Sequence, residues 1–135
     1  MAAGANLARV IEVARSAPDV TAFYLFGSHA DGTATASSDF DLAVLGTEPL
    51  PSDELVGLQL RFADAAGKPV DLVDLRTIDA FLALEVIRGE RLFCRDEPLA
   101  DEYELFVMRR AGDLEPFERE RRRLAMALPS RPAGG

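Results

Sequence analysis

Cysteine is almost missing: Cys94 stands alone among 135 residues, so one chain forms neither an internal disulfide nor a thiolate metal cluster. Histidine is equally scarce, with His29 the only one, and nothing in the chain suggests a serine, histidine and aspartate arrangement for nucleophilic catalysis. No uninterrupted apolar run approaches the roughly 20 residues that span a bilayer. The N-terminal stretch, with Glu12 between Arg9 and Arg15, is unlike a signal peptide, and the expectation is a soluble, cytoplasmic protein. Positive charge is in deficit too: 15 basic residues face 23 acidic ones, a formal net charge of −8. That balance argues against direct binding to nucleic-acid backbones, which calls for a basic footprint, and it suits a basic protein partner. No internal repeat is present.

What the chain does have is apolar material, 48% of its residues, enough for one compact domain with a core. Leu7, Val10, Ile11 and Ala14 recur at helical spacing, and Pro18-Asp19 end that helix. A strand is expected over 20–26, then a short helix inside the loop 29–38, then a strand over 40–45. In the latter, Phe40, Leu42 and Val44 face one way and Asp39, Asp41 and Ala43 the other. Ser52 can cap a helix with Asp53 and Glu54 in its first turn and Leu55, Leu58 and Phe62 on its apolar face; Gly67 closes it. A third strand covers Val70 to Leu75, a helix runs from about Asp79 to Arg88 and ends at Gly89, and 91–94 is a short fourth strand. Residues 95–98 form a hinge to two tail helices, one carrying Leu99, Tyr103, Phe106 and Arg110, the other Leu114, Phe117, Leu124 and Leu128. The division expected is a core over 1–95, a helical extension over 96–128 packed on it, and a frayed tail over 129–135. His29 is expected on the surface of the short helix, and Cys94 as a small buried side chain.

The stretch GSHADGTATASSDFD, Gly27 to Asp41, carries the chemistry. Side chains at i and i+2 of a strand leave one face roughly 6.6 Å apart along the chain, so Asp39 and Asp41 point together. Converging carboxylates are tolerated where a cation or a shared proton relieves them, and a hard cation such as Mg²⁺ suits oxygen donors. Gly27 allows a sharp backbone turn and the close approach of an anion; Ser28 adds a hydroxyl and, with backbone N–H groups, a phosphate cradle. The run VDLVDL offers a further acid, Asp71 or Asp74, the latter also suited to capping a turn. A phosphate cradle beside a cation site is what a nucleoside triphosphate bound as its Mg²⁺ salt requires.

Gly27-Ser28, ten residues, then Asp39-Phe40-Asp41 resembles the GS-x10-DxD pattern of the DNA polymerase β nucleotidyltransferase superfamily. Chain length and flanking sequence resemble its minimal, MNT-type branch, the antitoxin partners of HEPN toxins. The tail, with Asp113-Leu114-Glu115-Pro116, is also similar to that branch. The resemblance implies an α/β (α+β) nucleotidyltransferase fold, a mixed sheet of about four strands flanked by helices, with C-terminal helices. It implies two Mg²⁺ ions bridged by Asp39 and Asp41, with Asp71 holding the one that activates the acceptor hydroxyl, and Gly27 and Ser28 gripping the β- and γ-phosphates of ATP. It implies an antitoxin that transfers AMP from ATP to a tyrosine of a cognate HEPN ribonuclease toxin, as a hetero-oligomer with it. An antitoxin that neutralises by binding alone, and a small-molecule nucleotidyltransferase, are the other classes. The chain departs from the GSxARG form common in the branch by placing Asp31 at the arginine position, so either nucleotide affinity is reduced or an arginine comes from elsewhere. The arginines between Arg119 and Arg123 are either a solvated helix face or a docking surface for partner or triphosphate.

Overall fold

The computed structural model describes residues 2–34 and 39–127. Its elements are α1 (Ala2–Ser16), β1 (Ala22–Phe26), α2 (Ser28–Asp31), β2 (Phe40–Leu45), α3 (Ser52–Ala66), β3 (Val70–Asp74), α4 (Ala80–Ile87), β4 (Glu90–Cys94) and α5 (Glu97–Ala127). The strands form one mixed sheet in the order β3-β2-β1-β4. β1 is antiparallel to β2 and to β4, whereas β2 and β3 run parallel.

Period-two alternation sorts each strand's side chains onto two helical layers. Phe23, Leu25, Phe40, Leu42, Val44, Val70 and Leu72 pack against α1 and α3, where Phe23 stacks on Phe62 with ring centroids 4.9 Å apart. On the opposite face Tyr24, Phe26, Ala43, Leu45 and Leu75 meet α4 and α5. β1 is buried along its whole length because it is central and covered on both faces. Gly67, left-handed at φ 70°, ends α3 as expected, its N–H donating to the Ala63 carbonyl.

The tail is one helix, not two: α5 runs unbroken from Glu97 to Ala127 with Pro116 inside it. Proline removes one helical N–H, but around an exposed position water satisfies the freed carbonyl and the helix continues. Only its first half packs on the core, through Ala100, Val107 and Ala111; beyond that, Leu114, Phe117, Leu124 and Met126 are exposed. Ser52 is the first residue of α3 and not its cap; Pro51 holds the cap position without a side-chain hydrogen bond, and its carbonyl accepts the first helical bond from Leu55. Cys94 is half-buried rather than buried, because β4 is an edge strand. Loop residues 35–38, Leu128 and the tail 129–135 lie outside the described residues.

Candidate active site

The site forms at one end of the sheet, on the face that carries α4. β1 runs out at Phe26, which pairs with Asp41 on β2, and Asp41 pairs with Asp71 on the parallel strand β3. Residues opposite one another on a ladder share a face, so both carboxylates leave the same side of strands about 4.8 Å apart. Asp39 stands one residue before β2, exposed like Asp71, while Asp41 is half-buried. The electrostatics register this convergence. Burial, then Asp71, then Asp39 push the Asp41 carboxyl above its ordinary range; His29 opposes the shift and Glu85 adds to it. Among the described residues no group of three or more histidine, cysteine, aspartate or glutamate side chains is closed into a metal-ligating set. The fold brings the carboxylates to one face without drawing them into contact.

Gly27 sits at φ 72°, ψ −151°, a region essentially confined to glycine. A Cβ there would overlap Oδ2 of Asp41 and lie 3.1 Å from its Cγ, so the Gly-Ser corner lies directly against the carboxylate. Ser28 opens α2, and the Ala30 and Asp31 N–H groups both donate to the Gly27 carbonyl. Asp31 is held by its own loop: its Oδ1 accepts from the Thr33 hydroxyl at 2.6 Å and the Thr33 N–H at 3.0 Å, which lowers its pKa.

The two acids of VDLVDL part company. Asp71 stands beside Asp41, whereas Asp74 pairs with Val44, whose side chain belongs to the α1 and α3 face. There Asp74, 1% exposed, accepts from the Leu50 N–H at 2.8 Å and the Arg76 N–H at 2.9 Å, bracing the turns on either side of α3 and β3.

Sequence reasoning missed Glu85 altogether and put His29 on the surface, where it is instead half-buried, with its ring tilted on Phe40 at 4.3 Å and its charge felt by Asp41. Glu85 comes from α4, and no local pattern marks it. A cavity of about 180 Å³ beside the corner is lined by Gly27, Ala30, Asp31, Glu85, Arg88 and Gly89. Gly89 closes it from below: a Cβ there would overlap the Leu25 carbonyl and come 3.0 Å from Cα of Phe26, so the end of α4 is seated on the end of β1.

The chain matches the family model described as Polymerase beta, Nucleotidyltransferase over residues 8–98. It is 31% identical over 118 residues to the protein adenylyltransferase MntA of Shewanella oneidensis, spanning 86% of this chain and 82% of that protein. The fold matches a chain in the crystal structure of a toxin-antitoxin with AMP-PNP at TM-score 0.79 and 27% identity, covering 89% of this chain and 98% of that one. It also matches, at TM-score 0.75 and 25% identity over 90% and 97% of the two chains, a complex of a tri-AMPylated Shewanella oneidensis HEPN toxin with an MNT antitoxin. No helix among the described residues is long and apolar enough to cross a membrane.

Proposed function

We propose, proceeding from a chain that belongs to the polymerase β nucleotidyltransferase family, that it is an antitoxin acting as a protein adenylyltransferase: it transfers AMP from ATP to a tyrosine hydroxyl of a cognate HEPN toxin. In this reading residues 1–95 are the catalytic core and 96–128 the helical extension, whose exposed Leu114, Phe117 and Leu124 are open to a partner. The observation that carries it is the juxtaposition of the Asp41 and Asp71 pair with the Gly27 corner. The donor set fits a hard cation, since Asp39, Asp41 and Asp71 offer only carboxylate oxygens, and burial together with the repulsion of Asp71 and Asp39 raises the pKa of Asp41. Asp39, Asp41 and Asp71 would hold Mg²⁺, which when bound would supply charge neutralisation on the triphosphate and a lowered pKa of the attacking hydroxyl. Gly27, having no side chain, lets the phosphates pass close to Asp41, and Ser28 donates its hydroxyl to them. The carboxylates on β2 and β3 hold the acceptor hydroxyl in line with the α-phosphorus. The tyrosyl oxygen forms a bond to that phosphorus, the bond to the β-phosphate bridging oxygen breaks, pyrophosphate leaves, and the hydroxyl proton is released to solvent.

The test mixes the purified chain with its cognate HEPN partner, with and without ATP and Mg²⁺, and measures the intact mass of the partner. A gain of one or more AMP units, abolished by Asp41→Asn, is expected. Equal neutralisation of the partner's ribonuclease activity with no mass gain overturns the enzymatic reading in favour of binding alone.

A further inference from the structure

We infer that Arg88 is the cationic clamp for the β- and γ-phosphates of the bound nucleoside triphosphate, a role that rests on the nucleotide-transfer reading above. Arg88 ends α4, with its backbone N–H donating to the Leu84 carbonyl at 3.1 Å, and Gly89 seats that turn on Leu25 and Phe26. Its backbone is therefore fixed relative to the Gly-Ser corner. Its side chain is exposed, lines the cavity that Gly27 also lines, and among the described residues makes no hydrogen bond or ion pair.

Several other arginines of this acidic chain are engaged within the protein. Arg15, Arg91, Arg119 and Arg123 are ion-paired, and Arg76 and Arg95 donate to backbone carbonyls. Arg119, which shares a larger groove between α4 and α5 with Arg88, is tied to Glu115.

The cavity's charge supplies the second argument. Its walls carry two acids, Asp31 and Glu85, against one base, Arg88. Asp31 is engaged by Thr33, while Glu85 already repels Asp41. A triphosphate with its α-phosphate at the carboxylates and its chain passing Gly27 enters this cavity, where Arg88 alone among the described lining residues offers a positive charge. A guanidinium with no competing partner donates to two phosphate oxygens at once, without first breaking a bond within the protein. Arg88 thus sets the preference for a triphosphate over a monophosphate at the same site.

The experiment compares the full chain with Arg88→Ala and Arg88→Lys by calorimetric titration with ATP and with AMP in Mg²⁺, alongside steady-state transfer to the partner. Arg88→Ala should weaken ATP binding and raise the KM for ATP roughly tenfold or more, the size of a charge-assisted phosphate contact. AMP affinity, the KM for the acceptor protein and the melting temperature should not move, and Arg88→Lys should recover part of the loss. An unchanged KM for ATP in Arg88→Ala, or an equal rise in the KM for the acceptor protein, overturns the assignment while leaving the transfer reading intact. A wild-type chain that binds no ATP and adds no mass to its partner defeats both.

Discussion

Replacing Gly27 by alanine separates the strain of the corner from the chemistry beside it. At φ 72°, ψ −151° a side chain costs about 1–3 kcal/mol in backbone strain alone. The added Cβ would also overlap Oδ2 of Asp41, so the carboxylate must rotate away from the face it shares with Asp71. Gly67→Ala is the matched control. Its φ of 70° is also left-handed, but a Cβ there meets nothing nearer than Nδ2 of Asn6 at 3.7 Å, an ordinary contact. In urea denaturation with unchanged m-value, both variants should lose stability, Gly67→Ala by about 1–2 kcal/mol and Gly27→Ala by about 1–3 kcal/mol. ATP-dependent mass gain on the partner should survive in Gly67→Ala and fall at least roughly a hundredfold in Gly27→Ala, since displacing a group at a reacting centre by about 1 Å is enough for that loss. Full transfer by Gly27→Ala, or equal inactivation of both variants, refutes the placement of Asp41 against the corner.

Three further outcomes follow from the same geometry. Because burial and its acidic neighbours raise the folded pKa of Asp41, the folded chain holds that proton more tightly than the unfolded one, and stability is lost as pH rises from the ordinary aspartate range through the raised value. Asp41→Asn should therefore be more stable than wild type at neutral pH, with the difference closing at acid pH; urea melts across pH showing a destabilised or pH-independent variant would contradict this. Asp74→Ala leaves the Leu50 and Arg76 N–H groups without their acceptor and should cost about 2–4 kcal/mol, whereas Asp71→Asn, at an exposed site, should change stability by less than about 0.5 kcal/mol yet stop transfer. Equal stability losses in the two would undo the division of labour between them. Finally, burial and Glu104 keep the Tyr24 phenol protonated, and it donates at 2.7 Å to Glu104, which also pairs with Arg91 at 2.8 Å. Tyr24→Phe should cost about 1 kcal/mol and speed amide exchange in the first half of α5 without altering ATP affinity; a loss of ATP affinity would mean that this latch reaches the site.

Much was legible because its cause is local. Alternation alone orients Phe40, Leu42 and Val44 away from Asp41, and the structure has the same strand, Phe40–Leu45, with those residues in the core. The left-handed glycine after α3 and the short helix after the corner were likewise readable from a few adjacent residues. The tail was misread for the converse reason. Local signals at Gly112, Asp113 and Pro116 mark a break, but helix continuity there depends on whether solvent takes up the carbonyl that proline frees.

The sequence by itself determined the periods, and with them the alternation of strands and helices and the face from which Asp41 leaves its strand, since side-chain direction within a strand follows from backbone geometry over two residues; the mixed sheet was what the family resemblance implied. The family resemblance pointed to Asp71 among the acids of VDLVDL, but the physical reason lies in the tertiary structure, because the parallel register of β2 on β3 sets Asp71 beside Asp41 and turns Asp74 to the other layer. The tertiary structure alone decided that Glu85 and Arg88 face the Gly27 corner. Such neighbours are separated by dozens of residues along the chain, and no short-range pattern encodes a distance that chain folding alone closes.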